Sequence, residues 1–260
     1  MRAAAALAAL LLLSGPALPA RAQDGDSLPD LPPAGGAPGW SRQGNSLLLY
    51  DASGALAQEL PLRDPNETGA DERETLGGVS PDRRLAWTLD RTLLWTAGRT
   101  RLLESRRLLS VYGDGGRALW KDEEADLPER GDPVLFSKDG TVLLIARRGD
   151  DGWRAEARSW TGSVIRSVGP FPRLVSMALT PNGRYLLARW RVPDKSDTHT
   201  FVDLKTGARK DVASSDLLLG LARVDDDGVV RSGPRVVFAF SAAVSTAAVA
   251  ASTAAAPGAP

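Results

Sequence analysis

The sequence predicts an all-β repeat fold, and three observations carry the prediction. The first is a turn stretch, Thr180-Pro181-Asn182-Gly183-Arg184-Tyr185-Leu186-Leu187-Ala188. Proline presets φ, asparagine tolerates a left-handed φ and glycine adopts one freely, so the stretch reads as a hairpin tip leading into a mostly buried strand. The second is its recurrence at Ser80-Pro81-Asp82-Arg83-Arg84-Leu85-Ala86-Trp87, at Ser137-Lys138-Asp139-Gly140-Thr141-Val142-Leu143-Leu144 and, more weakly, at Asp225-Asp226-Asp227-Gly228-Val229-Val230. The starts lie 57, 43 and 45 residues apart, a period typical of one supersecondary unit per repeat. The third is an alternating second hairpin, seen at Tyr50 to Gly54, Tyr112 to Gly116 and Phe201 to Gly207. Each unit then holds an inner and an outer hairpin, the four strands of a β-propeller blade.

The elements follow in chain order. Met1-Arg2, the apolar run Ala3 to Leu13, the breakers Ser14-Gly15-Pro16 and the small-x-small site Ala20-Arg21-Ala22 form a secretory signal peptide over residues 1–22. Eleven apolar residues are too few for a span, which needs about 20. Residues 23–45 begin with a Pro/Gly/Asp/Ala-rich stretch and read as a flexible leader. Strands are expected from Ser46, with a hairpin to Leu60. Leu62 to Glu74 reads as a charged loop, and Leu76 to Leu89 as the first inner hairpin. Arg91 to Leu103 reads as an extra hairpin with its tip at Ala97-Gly98. A strand at Leu108 to Tyr112 returns through Trp120, and Lys121 to Asp132 is a second charged loop. Pro133 to Arg147, Trp153 to Val168, Leu174 to Val192 and His199 to Val212 are successive hairpins. Leu217 to Val230 is the last inner hairpin, with one more strand at Arg235 to Phe240. Residues 46–240 thus form the β-domain, and residues 241–260 are an Ala/Ser/Thr-rich low-complexity tail.

The chain begins with an outer hairpin and ends with an inner one. A ring closes if the two share a blade, which zips the termini together and removes the exposed sheet edges. The expectation is therefore a small propeller of about four four-stranded blades, closed by pairing of N- and C-terminal strands. Ser41-Arg42-Gln43-Gly44 stands as the alternative, a degenerate fifth inner turn.

The copies of Ser/Thr-Pro-Asp/Asn-Gly/Arg-Arg before an apolar run, above all Ser80 to Trp87 and Thr180 to Ala188, resemble the repeats of bacterial TolB-like and WD-repeat-like β-propellers. Ser137-Lys138-Asp139 departs by lacking the proline, Asp225-Asp226-Asp227 by lacking both serine and proline, and no Trp-Asp dipeptide ends a repeat. The resemblance covers the architecture from Ser46 to Phe240. It implies a rigid disc used as a binding platform, and it identifies no partner, because such folds host binders and enzymes alike.

Composition bounds the chemistry. The 260 residues carry 32 basic and 32 acidic side chains. Loss of Arg2 and Arg21 with the signal peptide brings the net charge to about −2, which offers nucleic acid or an anionic membrane no electrostatic attraction. With no cysteine, neither a disulfide nor a lipid-anchored thiol is available. The uncharged run Val236 to Ala256 is a poor membrane-span candidate because of its serines and threonines.

His199, the single histidine, reads as an exposed loop residue, and no Gly-x-Ser-x-Gly elbow accompanies it. The acidic runs Asp122-Glu123-Glu124 and Asp225-Asp226-Asp227 lack the alternate spacing of a calcium loop and read as solvated turns. No catalytic residue, metal or cofactor is expected. Among the seven tryptophans, Trp87 reads as packing between blades, whereas Trp95, Trp153 and Trp160 adjoin turns and are the candidate contact surface. The expected function is an exported, monomeric, non-catalytic scaffold for a protein or carbohydrate partner. The alternatives are an extracytoplasmic propeller enzyme acting on polysaccharide, and an incomplete propeller docking on a larger envelope assembly.

Overall fold

The structure is a computed structural model that describes residues 38–68, 71–96 and 100–240. The expected signal peptide, most of the expected leader, the turn expected at Ala97-Gly98 and residues 241–260 lie outside the described residues. The described chain is built of antiparallel strands, with two single-turn 3-10 segments at Ser214–Asp216 and Leu218–Gly220.

The strands form five sheets in chain order. The first is β1 (Gly39–Gln43), β2 (Ser46–Tyr50) and β3 (Leu56–Pro61). The second is β4 (Arg63–Thr68), β5 (Asp71–Val79), β6 (Ala86–Trp95), β7 (Leu102–Tyr112) and β8 (Ala118–Asp122). The third is β9 (Val134–Phe136), β10 (Val142–Gly149), β11 (Gly152–Ser159) and β12 (Val164–Phe171). The fourth is β13 (Leu174–Leu179), β14 (Tyr185–Trp190), β15 (Thr198–Asp203) and β16 (Arg209–Ala213). The fifth is β17 (Arg223–Val224), β18 (Val229–Ser232) and β19 (Arg235–Ala239). Within every sheet the strand order is the sequence order.

The repeated motif makes the same turn in three of these sheets. The hydroxyl of Ser80, Ser137 or Thr180 accepts the N–H five residues on, at Leu85, Val142 or Tyr185, over 2.9–3.0 Å. The same hydroxyl donates to the Oδ1 of Asp82, Asp139 or Asn182 over 2.5–2.7 Å. That Oδ1 in turn accepts the N–H two residues further along. The fourth position is left-handed, and Gly140, Gly183 and Gly228 hold it with φ of 69°, 70° and 80°. Arg83 holds it in the first copy with φ 64°, where its Nε donates to the Trp40 carbonyl (3.0 Å) and its own carbonyl accepts the Trp40 N–H (2.8 Å).

The turns also touch one another in series. Lys138 N–H donates to the Pro181 carbonyl (2.7 Å), and Asn182 N–H donates to Asp226 Oδ1 (3.0 Å). Four cores lie between consecutive sheets. Trp40, Leu47, Leu62 and Ala86 join the first and second. Trp87, Leu89, Leu109, Leu143 and Ile145 join the second and third. Leu144, Ala146, Phe171, Leu186 and Ala188 join the third and fourth. Leu187, Phe201, Leu217 and Val230 join the fourth and fifth. The period-two alternation of a strand explains this: Leu143 and Ile145 face one neighbour, Leu144 and Ala146 the other. A strand buried on both faces reads as the continuous apolar run seen after each motif.

Several expectations are corrected. Ser46–Tyr50 pairs with Gly39–Gln43 and Leu56–Pro61. Among the described residues no ladder joins it to anything from Leu217 onward, so no shared blade pairs the terminal strands. The turn at Gly44-Asn45 joins β1 to β2, and the end of the expected leader is strand β1. The charged stretch from Leu62 to Glu74 contributes β4 and part of β5, because cross-strand partners satisfy its charges: Glu74 faces Arg91 and binds it, and Thr75 Oγ1 donates to Asp90 Oδ1 (2.7 Å). Residues 91–95 and 102–103 do not form a separate hairpin but extend the long strands β6 and β7. The uncharged run from Val236 begins inside β19. Trp87 is buried between the second and third sheets, where packing was expected. Among the described residues no helix is long and apolar enough to cross a membrane.

Candidate functional site

Two adjoining cavities, of about 240 and 130 Å³, open along the inner strands and share Arg42, Gly77, Trp87 and Asp132. The local sequence explains the cleft. Beyond Thr75, β5 has no ladder partner on its outer side, because β4 pairs with it only as far as Thr75. The Arg42 guanidinium donates instead to the Gly77 carbonyl (3.4 Å). At Gly77 and Gly78 the neighbouring side chains leave little room for a Cβ. A Cβ on Gly77 would lie 2.6 Å from Leu62 Cδ2, and one on Gly78 would lie 2.7 Å from Trp87 Nε1. Phe136 and Val134 of β9 line the opposite wall. The cleft thus offers an exposed cation at Arg42, an exposed anion at Asp132, strand-edge backbone and aromatic surface. Such a combination of groups is what ligand clefts in general are built from.

The three candidate tryptophans do not share a face. Trp160 follows the end of β11, beside the inner turns, and is 45% exposed. Trp153 begins β11, at the opposite end of the strand, packs against the core between the third and fourth sheets and lies under Arg148 (5.7 Å). Seven residues of strand set the two about 23 Å apart. Trp95 ends β6 opposite Leu102, on the end of the second sheet away from the Ser80 turn.

His199 is corrected from an exposed loop residue to a buried one on β15, 2% exposed. Its Nδ1 lies 3.3 Å from Ser214 Oγ and its ring stacks on Phe201. Burial, with the nearby Arg189 charge adding to it, pushes its pKa down to about 4. The Asp197 carboxylate is held instead by Arg191 and Arg189, at 2.5 and 2.6 Å. The Arg191 hydrogen bond foremost, then that of Arg189, keeps the carboxyl below its ordinary range. The Ser214–His199 contact is partly buried, and its carboxylate neighbour Asp197 is held by guanidinium groups, so the arrangement packs as a polar cluster against the core. Sequence reasoning did not foresee it, since β16 brings Ser214 beside His199 only in three dimensions.

The acidic runs are also engaged within the fold. Asp122 on β8 reaches across to Arg158 (2.6 Å) and Arg147 (3.1 Å) of the third sheet, and Glu156 binds the same two arginines. Removing one partner from such a buried network costs about 3–5 kcal/mol, because the charge left behind is uncompensated. Asp225 binds Arg231 (2.9 Å), and Asp226 receives the Asn182 turn. Asp126 lies among Arg107 (2.5 Å), Arg91 (3.6 Å) and Arg148 (3.9 Å).

No family model matches the chain, and no curated protein matches it. Among solved structures, it is similar to the β-propeller domain of the trilobed protease from Pyrococcus furiosus, whose description is an open velcro topology. The identity is 11% and the TM-score 0.37, covering 58% of this chain and 42% of that one. The Dos1 propeller matches at 8% identity and TM-score 0.35, over 72% of this chain and 60% of that one. TolB from Acinetobacter baumannii matches at 13% and 0.25, over 65% and 48%. The chain spans about half the length of these proteins, and no residue role is carried over from them.

Proposed function

We propose that this chain is an exported, non-catalytic binding scaffold of propeller type, with five units in an open succession, whose inner cleft receives a protein or carbohydrate partner. One observation carries the reading: the adjoining cavities along β1, β5 and β9, which share Arg42, Gly77, Trp87 and Asp132. A concave surface with both charge signs, aromatic area and unpaired strand backbone can hold an extended segment through main-chain bonds and select it by side chains. The absence of cysteine allows a clean test. A photo-cross-linker on a single cysteine at Asp132 is expected to give a discrete adduct from the extracytoplasmic fraction, and Arg42→Glu to abolish it. The same probe at Ser215, distant and exposed, gives none. Equal labelling at both positions, or labelling indifferent to Arg42→Glu, overturns the reading.

A second reading, an incomplete propeller docked on a larger envelope assembly, is favoured by the terminal sheets. Each has three strands, and the outer edges of β3 and β19 pair with nothing among the described residues. Light scattering on the purified protein separates the two: a stable monomer supports a self-sufficient scaffold, and concentration-dependent self-association supports the docking piece.

A further inference from the structure

A separate pocket of about 80 Å³ opens between the second and third sheets at the inner-turn end. Its apolar part is Leu85, Leu119 and the Trp160 indole. Leu119 and Trp160 are 41% and 45% exposed, so the chain itself leaves them uncovered. The backbone that carries Trp160 is anchored, since Trp120 Nε1 donates to the Trp160 carbonyl (3.1 Å). Gly162, in the same turn, sits so close to Trp120 that a Cβ there would lie 2.8 Å from that ring.

The polar part comes from equivalent positions of successive repeats. Asp82 and Asp139 each accept their turn hydrogen bonds on Oδ1, from Ser80 and Arg84 N–H in one case and from Ser137 and Thr141 in the other. Among the described residues the second oxygen of neither carboxylate accepts a further hydrogen bond within the turn. The side chain of Asp82 lies against the neighbouring turn, with Oδ2 2.7 Å from where a Gly140 Cβ would stand. Asp114 adds a third carboxylate against one guanidinium, Arg84. The Ser137 hydroxyl, then the Thr141 N–H, hold the Asp139 carboxyl below its usual range, so it stays charged at neutral pH.

The geometry points to a receptor for one lysine side chain of a partner protein: the four-carbon stem along Leu85, Leu119 and Trp160, the ammonium between Asp82 and Asp139. Size decides against a whole small molecule, whose pockets measure about 300–1,000 Å³. Charge decides for a cation, and an indole face adds attraction for an ammonium. The pocket shares no residue with the inner cleft, so its test stands whether or not that cleft binds anything.

The test is a titration of the ¹⁵N-labelled protein with the blocked peptide Gly-Gly-Lys-Gly-Gly, followed by NMR. Shifts are expected at the Trp160 indole N–H and in the turns holding Asp82 and Asp139, and not around Arg42. Acetylating the lysine is expected to weaken binding by about tenfold or more, since it removes the charge. The double variant Asp82→Asn/Asp139→Asn is expected to do the same without unfolding, because Asn182 already makes the identical turn in the fourth sheet. Trp160→Ala serves as a second, structurally mild variant with a smaller loss. An unmoved indole signal at millimolar peptide overturns the proposal. So does undiminished binding of the acetylated peptide, equal binding of the corresponding peptide Gly-Gly-Arg-Gly-Gly titrated alongside, or undiminished binding by the folded double variant.

Discussion

Replacing Thr180 by valine removes one hydroxyl and keeps the side-chain shape. Thr180 is 2% exposed, and its Oγ1 donates to Asn182 Oδ1 (2.7 Å) and accepts the Tyr185 N–H (3.0 Å). Tyr185 is itself 1% exposed, so its N–H is left buried without that acceptor. A buried donor stripped of its partner costs about 1–3 kcal/mol. For a folded region of this size each kcal/mol lowers Tm by about 2–4 °C, which puts the expected fall near 6 °C within a span of about 2–12 °C. The assay is thermal unfolding by circular dichroism, with urea melts to confirm an unchanged m-value. Thr161→Val is the control: that hydroxyl lies in an exposed turn and contacts only the Ser159 and Ser163 hydroxyls, so about 0.5 kcal/mol or less is expected. Ser80→Ala and Ser137→Ala are expected to resemble Thr180→Val, because their hydroxyls make the same two bonds. If Thr180→Val melts with the wild type, or no lower than Thr161→Val, the hydroxyl does not hold the turn and the account of the repeat fails.

Gly77→Ala is expected to lower stability by about 1–3 kcal/mol in a urea melt, since its Cβ would press on Leu62 and Leu47; a neutral result means those side chains give way. His199 makes stability pH-dependent in a stated direction: its folded pKa of about 4 lies below the ordinary 6.5, so the unfolded chain binds the proton first as pH falls. The contribution is whole above pH 6.5 and is lost as pH falls toward 4. A Tm–pH series on His199→Gln should show a shallower slope in that window, and an unchanged slope would show that other groups set it. Mass spectrometry of protein recovered outside the cytoplasm should place its N-terminus at or near Gln23; an intact Met1 there would remove the case for cleavage.

The inner hairpins were legible because their information is local. A hydroxyl, an acid or amide two residues on and a left-handed position close the turn whatever surrounds it. The turn at Gly44 lacked those residues, and the Pro/Gly-rich stretch before Trp40 hid the alternation of β1, so the first unit was read as half a blade. Closure was misjudged for a different reason: whether two distant strands pair depends on the stacking of every sheet between them. Charged strands were mistaken for loops where ion pairs across β5 and β6 take the place of apolar burial. Trp160 could be singled out as an aromatic beside a turn. The carboxylates near it could not, since Asp82 and Asp139 lie 57 residues apart and meet only because one repeat stacks on the next.

Because each ladder joins strands adjacent in sequence, no end of the chain has to find the other before the fold is stable. Loop-closure entropy is confined to short connections, and such arrays behave as near-neighbour chains in which each unit needs only the one beside it. Amide exchange should therefore be graded, slowest in the second, third and fourth sheets with a neighbour on either side and fastest in the first and fifth. On an evolutionary scale the same independence lets a unit be gained or lost at either terminus without redrawing a ring, so that number of repeats becomes a variable that selection can adjust one sheet at a time.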